Sequence, residues 1–216
     1  MQARSTARLA ALLDSAAAVI DEIGYERLTT AMVAERAGAS IGTVYRYFPD
    51  RIVVLQGLSA RFLQQFSAST ARVILASKHE DWLDAVDSCL ADIITAFRRQ
   101  PGFRSLRFGD VLDLAPVPTG TSGLNATGST AAVRPTAAAG TVTGTGVIAG
   151  TMADALAERY GLESDDLAFH LEVALTFSDA LLTRAFRGGG KGDDRFIAEA
   201  RSAVRSHLAG VYGASA

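Results

Sequence analysis

Sulfur and imidazole are scarce in this chain. One cysteine, Cys89, occurs among 216 residues, which excludes an intramolecular disulfide and points to a reducing compartment. The three histidines, His79, His170 and His207, are scattered without metal-ligand spacing, and with a single thiol no zinc site is predicted. Excess charge is missing too. Twenty-one Lys and Arg stand against twenty-three Asp and Glu, a net charge of −2, so the chain is not coated in positive charge. No apolar run approaches the ~18 residues that read as a membrane span. Arg4 and Arg8 before "LAALLDSAAAVI" superficially resemble a secretory signal, but Asp14 interrupts the run and Asp21-Glu22 follow directly. A soluble, cytoplasmic protein without a membrane partner is expected.

Signatures of catalysis are equally thin. No Ser/His/Asp grouping is visible locally. "GGGKGD" at 188–193 lacks the GxxxxGKS/T spacing of a phosphate loop and follows no strand, so it reads as a hinge. Neither a cofactor nor an enzymatic role is expected.

What the chain does have is apolar and helical. Hydrophobic residues make up 49% and charged residues 20%, which allows a sizeable core and argues against global disorder. Leu9, Leu12, Leu13, Ala16, Ile20 and Ile23 form one stripe on a helix over about 5–23, stopped at Gly24. Thr29 or Thr30 caps a short helix, "AMVAERA", ended by Gly38, and Ser40 caps another through Phe48. Pro49 stops that segment, and Asp50 caps a long helix running to about 76. Trp82, Ala85, Val86, Cys89, Leu90, Ile93, Ile94 and Phe97 mark the core face of a helix over 81–100.

Residues 115–147 then change character. Thr, Ala and Gly fill 21 of these 33 positions and Arg134 is their only charge. Such a composition buries too little to offset its ordering entropy, so a flexible loop is expected there. Helical patterning resumes near Val147 through Tyr160 and again over 164–187. In the second of these, Leu167, Phe169, Leu171, Val173, Leu175, Phe177, Leu181, Leu182 and Phe186 cover most of the circumference. A helix apolar all round is buried on two sides. With a last helix over 193–212, it is expected to form the interface of a homodimer.

The N-terminal third carries the most positive balance, seven Arg against six acidic residues over 1–61. It also holds two short helices, "TTAMVAERA" and "SIGTVYRYF", joined by a glycine-containing corner. That is the geometry of a helix-turn-helix, whose second helix is short because it lies in a DNA major groove. Ser40 and Thr43 suit phosphates, Tyr45 and Tyr47 phosphates or sugars, and Arg46 a phosphate or guanine edge. Gly42 costs so short a helix roughly 1 kcal/mol against Ala, a cost consistent with close approach of backbone to duplex.

Residues 24–51, "GYERLTTAMVAERAGASIGTVYRYFPDR", resemble the DNA-binding signature of the tetracycline-repressor (TetR) family of bacterial transcription regulators. The matching positions are Gly24-Tyr25, Thr29, Val33-Ala34, Ala37-Gly38, Ser40, Gly42-Thr43, Tyr45, Tyr47-Phe48 and Arg51. The resemblance implies an all-α fold. Residues 1–50 would form a three-helix DNA-binding domain and 51–216 a larger helical domain for ligand sensing and dimerisation. It implies a repressor that leaves double-stranded operator DNA when a small-molecule inducer binds. Carried over by position, Thr29 or Thr30, Ser40, Thr43, Tyr45, Tyr47 and Arg51 face DNA. Ile41 is a candidate for a thymine-methyl contact, and Arg4 and Arg8 add phosphate contacts. Val33, Ala34, Val44 and Phe48 belong to the core; partial burial is the alternative for Tyr45 and Tyr47. The family usually has Lys where Arg51 stands and Val where Ala39 stands, and the 115–147 loop has no counterpart. Trp82, Cys89, Phe97, Phe103, Phe108, His170 and Phe177 are the candidates for the inducer pocket, each equally suited to ordinary core. An all-helical protein-binding adaptor, or a small-molecule enzyme using the same pocket, is the alternative function.

Overall fold

Short polar side chains start most of the helices. The computed structural model describes residues 2–106, 143–162 and 164–213. Within them the helices are α1 (Gln2–Ile23), α2 (Thr30–Arg36), α3 (Ile41–Tyr47), α4 (Arg51–Leu75), α5 (Trp82–Arg99), α6 (Phe103–Leu106), α7 (Gly144–Tyr160), α8 (Leu167–Phe186) and α9 (Asp194–Tyr212). The all-α expectation holds, with no strand among the described residues. Thr29 accepts from the Met32 amide at 3.2 Å, Ser40 from Thr43 at 3.2 Å and Asp50 from Val53 at 3.0 Å. Asp81, Thr143 and Asp193 cap α5, α7 and α9 in the same way. Each such bond satisfies an amide that the first helical turn leaves open, worth about 1 kcal/mol.

Two helix starts depart from the sequence reading. Helix α7 begins three residues before Val147, so Thr143–Val147 of the expected 115–147 loop are its cap and first turn. The Thr143 hydroxyl both accepts from the Gly146 amide and donates to Glu172 on α8, a tertiary anchor that composition does not reveal. Residues 115–142 of that loop lie outside the described residues. Helix α8 starts at Leu167, not at 164, so the acidic pair Asp165-Asp166 precedes it and its first turn contains no acidic residue. A 3-10 turn, Tyr25–Arg27, also joins α1 to α2, pinned where Arg51 donates to the Glu26 carbonyl at 2.6 Å.

Helices α1 to α3 pack together at one end, with Val33, Ala34, Val44 and Phe48 buried as expected. Helix α4 leads away from them and lies along α7, which in turn packs on α8, and α8 on α9. One apolar core runs through both parts. At its centre Phe103 stacks on Phe66 at 4.9 Å and meets Phe62 and Phe97 edge-on, each at 5.4 Å. Phe97 stacks in turn on Phe186.

The corner before Phe103 is held tightly against α1. Gly102 has φ +73°, and a Cβ there would stand 3.1 Å from the Ala17 carbonyl oxygen. Its amide donates to Asp21 at 3.3 Å. Only glycine combines that backbone angle with that proximity at no steric cost. Along the other flank, Arg205 bonds Asp84 at 2.6 Å and Asp81 at 2.7 Å, and Arg201 grips Asp87 with two donors. These exposed pairs stabilise little one by one, yet together they fix α9 against α5.

Among the described residues, helix α8 is buried on one side only. Leu167, Leu171, Ala174, Leu175, Leu182 and Phe186 face inward, while Phe169 is 60% exposed and Phe177 and Leu181 are half-buried. Val211 on α9 is also exposed.

Candidate nucleic-acid interface

Helix α3 is seven residues long and contributes one buried side chain, Val44. Phe48 behind it is 3% exposed, so the helix is fastened by two apolar contacts and turns its other faces outward. Ile41 is 43% and Tyr45 52% exposed, and Ser40, Gly42 and Arg46 are exposed with them. Thr43 and Tyr47 are half-buried, so the alternative of partial burial applies to Tyr47 and not to Tyr45. Met32 and Ile52 are exposed as well. Large apolar side chains are thus exposed on α2, on α3 and at the start of α4.

The polar groups of α3 are organised. Ser40 Oγ lies 2.9 Å from Thr43 Oγ1 while also capping the helix. The Arg46 guanidinium sits 5.3 Å from the centre of the Tyr47 ring. The Tyr47 hydroxyl lies 3.3 Å from Ser5 Oγ on α1. That hydrogen bond, followed by the charges of Arg46 and Arg8, holds the Tyr47 phenol below its ordinary value. Arg8, 38 positions before Arg46 in sequence, thus acts electrostatically on the same phenol. Arg4 is exposed on the first turns of the same helix.

The remaining sequence candidates divide. Thr29 is the cap of α2 and exposed, and Thr30 is half-buried in its first turn. Arg51 is exposed, but the Glu26 carbonyl occupies part of its donor set, so it braces the interface as well as bordering it. Sequence reading missed Ser5; its bond to a residue 42 positions away leaves no local signal.

The six pocket candidates among the described residues lie in different surroundings. Phe97 and Phe103 are 1% and 0% exposed within the aromatic core. Cys89 lines a void of about 10 Å³ with Val86, Leu90, Met152, Leu171 and Val204, too small and too apolar for a water molecule. Trp82, His170 and Phe177 lie where α5, α8 and α9 meet, through contacts with Tyr212 and His207. Phe108 is outside the described residues. A larger recess of about 660 Å³ opens instead between α4 and α5, lined by Gln65, Phe66, Ser69, Arg72, Asp92, Arg99 and Gln100 among others. Phe66 is the one aromatic side chain in that lining, so the aromatic signal used to choose candidates did not point to it.

Cys89 is also chemically quiet. Burial, and after it the Asp92 charge, pushes its thiol up to about 12. The thiolate is the reactive form, so the native protein is expected not to react with Ellman's reagent at pH 8 over minutes. Stoichiometric reaction should appear on denaturation; rapid labelling of native protein would contradict the packing around α5.

The profile described as bacterial regulatory proteins, tetR family, matches residues 12–54. A tetracyclin repressor-like C-terminal domain profile matches residues 128–212. The HTH-type transcriptional repressor KstR of Mycolicibacterium smegmatis is 38% identical over 65 residues, 30% of this chain and 32% of that protein. The nucleoid occlusion factor SlmA of Colwellia psychrerythraea is 30% identical over 101 residues, 47% of this chain and 50% of that protein. The chain thus spans about a third to a half of the curated relatives it matches. A TetR-family transcriptional regulator from Streptomyces coelicolor has the same fold at TM-score 0.71, with 27% identity, covering 94% of this chain and 99% of that one.

Proposed function

This chain belongs to the tetR family of bacterial regulatory proteins, and from that premise we propose that it is a sequence-specific DNA-binding repressor released from its operator by a small molecule. The observation that carries the reading is the outward face of α3, where Ser40, Ile41, Tyr45 and Arg46 are exposed. A helix this short contributes little to the core, and its apolar and polar groups outside are those that read bases and hold phosphates. Residues 1–50 form the DNA-binding part and 51–216 the sensing and dimerising part. Two copies join through α8 and α9, covering Phe169, Phe177, Leu181 and Val211.

Repression is relieved by population shift. An inducer that binds one arrangement of the dimer better swings α4 and alters the separation of the two α3 helices. The duplex needs these about one turn apart, ~34–36 Å. The recess between α4 and α5 is suited to such an inducer because it involves the helix that leads directly from the DNA-binding part. Linkage requires operator DNA to weaken inducer binding by the same factor.

Footprinting on the DNA upstream of the gene, followed by a salt titration, tests the reading. Affinity should fall steeply with salt; an adaptor or enzyme would ignore that DNA. Thr43→Ala and Tyr45→Ala should each weaken operator binding about tenfold with an unchanged melting curve. Equal affinity in both variants would remove α3 from the interface.

A further inference from the structure

Two of the three histidines, unremarkable in sequence, meet across helices. His170 Nδ1 on α8 and His207 Nε2 on α9 are 3.3 Å apart, with ring centres 5.3 Å apart and planes inclined by 46°. We propose that this pair is a bidentate site for a late first-row divalent cation, Zn²⁺ in the first instance.

The spacing suits shared coordination as well as a direct bond between the rings. Two imidazole nitrogens on one tetrahedral Zn²⁺, each at about 2.05 Å, stand about 3.3 Å apart, with ring centres about 5.2 Å apart. A straight N–H···N bond of the observed length would place the centres about 5.6 Å apart and would lie just beyond the usual range of about 2.7–3.2 Å. The observed centres, 5.3 Å apart, lie nearer the first of these values. Among the described residues neither ring has another hydrogen-bond partner that would turn it away.

The surroundings hold that arrangement. Tyr212 packs edge-on against His170 at 5.8 Å and Phe177 against His207 at 5.7 Å, with Trp82 behind Tyr212 at 6.2 Å. Aromatic walls limit ring rotation and water access, two factors that tune a metal site. The Tyr212 hydroxyl in this cluster is buried and finds no hydrogen-bond partner among the described residues. Among the described residues no third His, Cys, Asp or Glu joins the pair, so water completes the coordination. Imidazole ligands favour Zn²⁺, Cu²⁺ and Ni²⁺ over Mg²⁺ or Ca²⁺. One ligand comes from each helix, so the bound ion clips α8 to α9.

The test is calorimetric titration of untagged full-length protein with ZnCl₂. One Zn²⁺ per chain is expected, and EDTA should reverse the binding. His170→Gln and His207→Gln should each weaken it at least tenfold. His79→Gln should not, because His79 lies apart, against Ser88. A measurement on the unmodified protein guards against misfolded variants. Zn²⁺ should shield His170 and His207, but not His79, from diethyl pyrocarbonate, as read by peptide mass. Absence of uptake, undiminished binding in both glutamine variants, or absence of shielding overturns the proposal.

Discussion

Gly42→Glu is expected to abolish operator binding while leaving the protein folded. A Cβ at position 42 meets no atom of the described residues within 4 Å, so the site is open to a side chain. Removing glycine from a helix interior recovers some of the roughly 1 kcal/mol that glycine costs. The position is in the first turn of α3, where a carboxylate also interacts favourably with the helix dipole. The melting temperature should therefore hold or rise. Against DNA the same side chain brings negative charge and bulk to the place where backbone must approach phosphates. Like charges juxtaposed at an interface cost several kcal/mol, so the affinity should fall at least ~100-fold. Fluorescence anisotropy with the footprinted operator, read beside a thermal melt, checks both halves. Retained affinity would mean that α3 does not enter the groove.

Phe103→Ala has the largest expected effect on stability. The ring is fully buried and touches Phe62 and Phe66 of α4 and Phe97 of α5. Truncation removes contacts on three sides, and the stacked neighbours cannot all move into the gap. Such changes cost about 3–5 kcal/mol, or a melting temperature lower by about 6–20 °C for a chain of this size. Differential scanning calorimetry gives the number. A loss below about 1 kcal/mol would mean that the ring borders a ligand space instead of closing the core.

The N-terminal part was readable because its rules are local. Thr29, Ser40 and Asp50 cap within three residues of the amides they serve, and Val33, Ala34, Val44 and Phe48 follow helical spacing. The start of α7 was misread because Thr143 and Gly144 look like loop composition, while the Glu172 contact that anchors them lies 29 residues away. The pocket candidates were chosen as aromatics on helix faces, but spacing does not tell whether such a face meets a void or another ring. Phe97 and Phe103 meet rings. His170 and His207, 37 positions apart, have no spacing to read at all. Arg51 matched a DNA-facing position, and its bond to the Glu26 carbonyl depended on a turn that the sequence did not announce.

The glycine at the start of α6 sets how displacements pass along the molecule. Side chains between two helices act as cushions, because they change rotamer before the helices move. At residues 17 and 102 main chain abuts main chain, and a carboxylate grips the amide from the same helix. No cushion exists at that point. A lateral push on α6 must be taken up by α1 as a whole, and with it by the phenol that α1 tethers through Ser5.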